Sequence, residues 1–390
     1  MSFIILRPGK ERRLIAGHSW IYAGEIAAVH DKAQDGEAVE IFDHRKRSHG
    51  VGLLNRKSQI TVRRFSTQKE DLNREFFYRR LAAAGAYRKR VVGDVSCCRI
   101  VFSEADQLPG FILDKFGDCL VLQALTLGID QRKPMLASIA RELFQPQAIV
   151  ERSDAPTRKL EGLPEAKGVL FGETDGNTTI EVGGVRFAVN LLEDQKTGFF
   201  LDQAVNYQEM FRFCSGKRVL DCFSYHGGFA LYAAQAGASL VEAVEISDTA
   251  IARARQNAEL NGLLGKLQFN CANAFDVLKK YDADKRQFDV IVLDPPTFTR
   301  TKQNVDDALR GYKEINLRAL KMLAPGGVLA TFTCSHHISA ELLRSVVVDA
   351  AGDAHRTVRL VKTLTQNADH PILPAIPETE YLKGMLLEVI

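Results

Sequence analysis

The stretch Val219-Leu220-Asp221-Cys222-Phe223-Ser224-Tyr225-His226-Gly227-Gly228-Phe229 decides the fold. It reads as a short apolar strand ending in an acid, followed by a turn of small residues that opens a helix. Small residues there let the backbone approach a ligand closely. The turn lacks the G-x-G-x-x-G spacing that favours a dinucleotide pyrophosphate. Its context carries the argument. Apolar strands follow at Leu240 to Ile246, Leu267-Gln268-Phe269, Phe288 to Asp294 and Gly327 to Phe332, with helices between them, one starting at Asp248. Such alternation implies a doubly wound, Rossmann-like α/β sheet with its ligand site at the carboxyl ends of the strands.

Those ends carry chemistry. Glu245 closes the second strand, 24 residues after Asp221, where a carboxylate can accept hydrogen bonds from ribose hydroxyls. After the third, Asn273 offers an amide to an adenine edge, or equally a helix N-cap. A ribose and an adenine site without a pyrophosphate loop fit S-adenosylmethionine better than a nicotinamide dinucleotide. The fourth strand exits through Asp294-Pro295-Pro296-Thr297-Phe298, a stiff loop above the sheet. The fifth ends in Thr331-Phe332-Thr333-Cys334-Ser335-His336-His337. Cys334 at that mouth is placed as a nucleophile: a thiolate added to C6 of cytosine makes C5 able to take a methyl group. Its plainer reading is a small buried apolar residue. Adjacent histidines point apart in an extended chain, so no metal site is expected.

Upstream, residues 1–66 read as short strands, such as Ala38 to Asp43, Gly50 to Leu54 and Ile60 to Phe65, which suggest a small β-barrel. A helix follows over 71–92, with Phe76, Phe77, Leu81 and Ala84 on one face and arginines elsewhere. Strands at Cys98 to Phe102, Phe111 to Asp114 and Cys119 to Gln123, a helix near 131–144 and a strand at Ala148-Ile149-Val150 complete an α+β segment. Thr179 to Val182 and Val185 to Val189 flank Gly183-Gly184 as a hairpin.

The 390 residues carry 51 Lys+Arg against 48 Asp+Glu, a net of +3. That total hides 19 basic against 10 acidic residues in 1–90, a net of +9, and −6 in the remainder. A basic segment on a mildly acidic body suggests a polyanion-binding module. Seven cysteines, an odd number without a C-x-x-C pair, argue against a disulfide framework or structural zinc. No run reaches the roughly 20 apolar residues of a membrane helix and no signal segment is evident, so a cytoplasmic location with no membrane partner is expected.

Taken in order, several motifs resemble one family. They are Leu14 to Tyr22, Asp106 to Phe111, Glu151-Arg152-Ser153-Asp154 with Arg158 to Gly162, Lys196-Thr197-Gly198-Phe199-Phe200-Leu201-Asp202-Gln203, the Phe223 to Phe229 loop, Asp294 to Phe298, Thr333-Cys334-Ser335, and His370-Pro371 with Tyr381-Leu382-Lys383-Gly384. Over essentially the whole chain the sequence resembles the bacterial 23S ribosomal RNA cytosine-C5 methyltransferases, which use S-adenosylmethionine and carry an N-terminal PUA domain.

The resemblance implies a PUA-like RNA-binding domain at 1–70, a central α+β domain at 71–178, and a class I methyltransferase domain with a leading hairpin at 179–390. It implies donor binding by Lys196, Thr197, Phe200, Gln203, Asp221, Phe223, Ser224, Tyr225, Gly227, Glu245, Asn273, Asp294 and Pro295. Cys334 matches the nucleophile, and Asp294 is expected to orient the cytosine. Two departures stand out: no second cysteine follows Pro296, leaving the base that takes the C5 proton unassigned, and Asn273 replaces a usual aspartate.

The basic segment is expected to hold ribosomal RNA or a ribosomal subunit precursor through Arg12, Arg13, Arg45, Lys46, Arg47, Arg56, Lys57, Arg63 and Arg64. Trp20 and Tyr22 are candidates for base stacking or for core packing. A guanine or adenine methyltransferase, a non-catalytic RNA-binding or assembly protein and a nicotinamide oxidoreductase remain the alternatives. The oligomeric state stays open, a homodimer being one option.

Overall fold

The computed structural model describes residues 2–299 and 302–390. The chain forms two compact units. One comprises the chain up to Ile180 with Val189–Leu201 and Ala368–Thr379; the other comprises Glu181–Ala188, Asp202–Asn367 and Glu380–Ile390. No helix among the described residues is long and apolar enough to cross a membrane.

The first unit holds two sheets. Six short strands order as Trp20–Ile21, Val62–Ser66, Ser48–Leu54, Ala38–Phe42, Ser2–Leu6 and Ile26–Val29. Ser2–Leu6 runs parallel to Ala38–Phe42, and the other pairs are antiparallel. Five further strands order as Ala166–Phe171, Ala148–Ser153, Cys119–Ala124, Phe111–Phe116 and Cys97–Phe102. One apolar core joins Val51 and Phe65 to Phe77, Leu81, Leu113 and Ile149.

The helix Arg74–Val91 starts where Asn73 accepts the backbone N–H of Phe76. Phe76, Phe77, Leu81 and Ala84 are buried, as their spacing predicts. Arg88 continues that face, whereas the arginines were expected elsewhere on the helix. It is 0 % exposed, ion-paired with Asp106 and hydrogen-bonded to the Asp369 carbonyl at 2.8 Å. A buried guanidinium needs such partners.

In the second unit, seven strands build one sheet: β1 (Arg218–Cys222), β2 (Leu240–Glu245), β3 (Leu267–Cys271), β4 (Phe288–Leu293), β5 (Leu323–Thr333), β6 (Val358–Thr365) and β7 (Lys383–Val389). Their order is β3-β2-β1-β4-β5-β7-β6. The first five are parallel, as the alternation predicts, whereas β7 pairs antiparallel with both β5 and β6. Val241, Val244, Ile291 and Leu293 are fully buried, consistent with strands covered on both faces. The helices are α1 (Ala204–Phe211), α2 (Gly228–Gln235), α3 (Asp248–Leu260), α4 (Ala274–Ala283), α5 (Val305–Met322) and α6 (Ala340–Asp353). Ser247, Asn273 and Ser339 cap α3, α4 and α6.

Candidate active site

Asp221, the penultimate residue of strand β1, is 1 % exposed. Its Oδ2 accepts the N–H of Ala230 at 2.9 Å, and its Oδ1 has no partner among the described residues. Burial, reinforced by the carboxylates of Asp294 and Glu245, pushes the Asp221 carboxyl well above its usual range. The loop beyond is tightly wound. Phe223 and Tyr225 take φ of 64° and 49°, left-handed values that cost side-chain-bearing residues on the order of 1–3 kcal/mol each. Gly227, at φ 83°, carries no such cost. A Cβ on Gly228 would lie 2.7 Å from the Tyr207 ring, so only glycine lets α2 start there undisturbed. Ser224 is buried and its Oγ has no partner either. The ring of Tyr225 stacks on that of His226 with centroids 3.7 Å apart.

Glu245 at the end of β2 organises this loop. Its Oε2 accepts the Tyr225 N–H at 3.1 Å, and its Oε1 accepts those of Ile246 and Ser247 at 2.9 and 3.0 Å. Asn273, beyond β3, is exposed, and its Oδ1 accepts the Phe275 N–H at 2.9 Å as the N-cap of α4. A chain of rings that the sequence reading missed runs across these strand ends: Phe223 to Phe275 at 6.2 Å, Phe275 to Phe298 at 5.6 Å, and Phe298 to Tyr312 at 4.6 Å. Their signal was proximity to motif residues, since Phe275 follows Asn273 by two positions and Phe298 closes the Asp-Pro-Pro loop.

After β4, Asp294 is half-buried and its Oδ2 accepts from Gln203 Nε2 at 2.9 Å. Gln203 is itself buried, and its Oε1 accepts from Asn206 Nδ2 at 2.6 Å. Pro295 is buried and Pro296 exposed. At the end of β5, Cys334 is half-buried, with Sγ 3.1 Å from the Thr297 hydroxyl. The strand ends of β4 and β5 thus bring the thiol to the Asp-Pro-Pro-Thr loop. On either side of the cysteine, Thr333 Oγ1 lies 2.8 Å from the Tyr312 hydroxyl and Ser335 Oγ donates to the Thr299 carbonyl at 3.0 Å.

The remaining candidates lie in the first unit. Thr197 is buried and its hydroxyl donates to Asp114 Oδ2 at 2.6 Å. The Lys196 ammonium sits over the Phe200 ring, 4.2 Å from its centroid. Among the basic residues, Arg12, Arg45, Lys46, Arg47, Arg56 and Lys57 are exposed. Buried Asp43 shapes the Arg45-Lys46-Arg47 turn, its Oδ1 accepting the N–H groups of Arg45 and Arg47 at 2.8 and 2.9 Å. Arg13 is half-buried, with its guanidinium over the Tyr22 ring. Arg63 pairs with buried Glu161 at 2.9 Å. Arg64 is not a surface residue. It is 8 % exposed and donates to the carbonyls of Leu14 and His18, so its charge serves the interior of the small sheet. Trp20 Nε1 donates to Glu104 at 2.8 Å.

The seven-stranded sheet and its populated strand ends define a class. Residues 163–387 match a family described as S-adenosylmethionine-dependent methyltransferase, and residues 4–67 match a PUA-like domain. The chain is 41 % identical over 391 residues to ribosomal RNA large subunit methyltransferase I of Shewanella amazonensis, covering 99 % of each chain. It is 42 % identical over 390 residues to the protein of that name from Aeromonas salmonicida, covering 99 % of this chain and 98 % of the relative. The chain belongs to this family of S-adenosylmethionine-dependent methyltransferases, as its motifs indicated.

Two solved structures share the fold over their full length: the crystal structure of SMU.776 complexed with SAH, at 20 % identity and a TM-score of 0.86, and a chain from Streptococcus mutans described as SAM-dependent, at 19 % and 0.85. The cofactor is S-adenosylmethionine. The residues present fit it, because the orphaned, buried Asp221 Oδ1 and Ser224 Oγ are polar atoms in need of a polar ligand.

Proposed function

We propose that this enzyme methylates C5 of cytosine in large-subunit (23S) ribosomal RNA through a covalent adduct of Cys334 at C6. The observation that carries the reading is the meeting of the Cys334 thiol with the Asp294-Pro295-Pro296-Thr297 loop, Sγ 3.1 Å from the Thr297 hydroxyl. Methylation of a guanine or adenine needs no nucleophile in that place. The names of the relatives supply the ribosomal RNA.

In this reading Asp221, Phe223, Ser224, Tyr225 and Gly227 hold the methionine end of the donor, Glu245 its ribose and Asn273 its adenine. Gln203 acts through Asp294, and Pro295 completes the donor set of this unit. Asp294 orients the cytosine by its N3/N4 edge. The Cys334 thiolate adds to C6 and pushes an electron pair onto C5. S-adenosylmethionine, when bound, supplies the methyl group that C5 takes, the breaking bond leaving its electrons on sulfur. A base then removes the C5 proton, the C5–C6 double bond re-forms, and the thiolate leaves.

RNA is gripped by the exposed cations Arg12, Arg45, Lys46, Arg47, Arg56 and Lys57, consistent with a division into segments 1–70, 71–178 and 179–390 and with action in the cytoplasm. Cys334→Ala is expected to bind SAH normally and to form no 5-methylcytosine, and wild type is expected to be trapped on RNA containing 5-fluorocytosine. Undiminished 5-methylcytosine from the variant removes the nucleophile; methylated purine in its place selects the other reading.

A further inference from the structure

Lys383 is the first residue of β7 and lies opposite Thr333 of β5, one residue before Cys334. It is 9 % exposed. Lysine is among the residues least often buried without a partner. Its Nζ donates to the Ser335 carbonyl at 3.0 Å and to the Tyr381 carbonyl at 3.2 Å. Both acceptors are neutral, and its charge acts on Cys334 and Glu380. The sequence reading quoted Lys383 only within a tail motif and gave it no role.

We infer that Lys383 is a positioning residue for Cys334: its ammonium ties down the turn that follows the cysteine and, by its charge, holds the sulfur as thiolate. This rests on the reading of Cys334 as nucleophile. Chemically the step is a proton loss: the thiol proton passes to solvent, the lysine keeps its own, and the positive charge favours the anion that remains. Burial lowers the lysine's own pKa, while Glu380 and, after it, an anionic Cys334 sulfur raise it, so the charges of Lys383 and the thiolate support each other. Of the other ionisable groups around this turn, Tyr312 on α5 is acted on by both Cys334 and Asp294 at the end of β4, Glu380 before β7 acts on Lys383, and His336 follows the cysteine by two residues. Asp294 and Glu380 oppose an anion as carboxylates, and burial holds the Tyr312 phenol neutral by raising its pKa. Lys383 is the cation that a hydrogen bond fixes to the turn following the cysteine.

The test is the pH dependence of iodoacetamide alkylation of Cys334, read on its peptide by mass spectrometry, in full-length wild type, Lys383→Met and Lys383→Arg. SAH affinity and thermal melting report folding. Wild type is expected to titrate below the ordinary thiol value of about 8.5. Lys383→Met is expected to move the midpoint up by about one pH unit or more, and Lys383→Arg to restore most of the shift. A wild-type midpoint at or above the ordinary value overturns the inference without any variant, as does an unmoved midpoint in folded Lys383→Met. Product formation by Cys334→Ala separately decides the nucleophile reading, so the two failures are distinguishable.

Discussion

The buried amide of Gln203 donates to the carboxylate of Asp294 across 2.9 Å, joining the segment before α1 to the loop after β4. Asn206 holds the other end of that amide and also donates to the Thr365 carbonyl at 3.0 Å. The orientation of Asp294 is thus set from behind by a row of amides. Gln203→Leu removes the donor to a charged acceptor, an interaction on the order of 1.5–3 kcal/mol. Turnover on RNA is expected to fall roughly ten- to a hundredfold. Steady-state kinetics with SAH titration checks this, and wild-type kcat in a folded variant would show that Asp294 needs no such support.

Glu245 makes three hydrogen bonds to backbone N–H groups and so holds the strained Phe223–Tyr225 turn in shape. Glu245→Ala is expected to weaken SAH binding at least tenfold, while RNA affinity stays near wild type. Calorimetry with SAH and filter binding with RNA separate the two. Equal losses in both would mean that the variant unfolds rather than losing a local contact.

His226 gives the stability of this domain a pH dependence. Burial, with the Arg253 charge nearby, lowers its pKa from 6.5 to about 3. In the unfolded chain the imidazole protonates near 6.5, so between these values the unfolded state binds more protons and stability rises with pH. The contribution is complete above 6.5 and is lost as pH falls towards 3. By pH 5 the loss is on the order of 2 kcal/mol. Urea midpoints for wild type and His226→Gln, measured from pH 7.5 to 5, are expected to show a shallower acid slope in the variant; parallel slopes would place the acid sensitivity elsewhere.

These cases also show what could be read from the chain. The parallel strands β1 to β5 are continuous apolar runs between helices, a local pattern. Strand β6 was not anticipated because Arg359, Leu360, Val361 and Lys362 are all exposed, leaving no buried face to set a period. Nor was β7 anticipated, whose place between β5 and β6 depends on pairing across the chain. Arg64 was read by charge as a surface residue and the helix arginines as lying off the apolar face, yet the partners of Arg64 and Arg88 lie at long separations, as with Asp369, 281 positions from Arg88. The motif residues were visible one at a time, but what Gln203 and Lys383 touch was not, because both partnerships are tertiary.

The contrast between the Arg45-Lys46-Arg47 turn and Arg64 gives a sharp test of RNA binding. The turn residues are exposed and shaped by Asp43, so replacing all three with alanine removes charge, at the cost of the Arg47 Nε bond to buried Asp43 Oδ2 at 2.7 Å. Each phosphate contact on single-stranded nucleic acid contributes about 0.7 to the slope of log K against log salt. The triple variant is therefore expected to reduce that slope by up to about 2 and to weaken RNA binding at low salt, with a melting temperature lowered only by the loss of the Arg47–Asp43 pair. Arg64→Met is expected to differ in the slope: it leaves the Leu14 and His18 carbonyls without their donor and lowers the melting temperature, while the salt slope of the folded fraction stays as in wild type. Salt-dependent RNA titration and melting curves on both variants measure this. An unaltered slope in the triple variant would show that this turn is not part of the RNA-binding face.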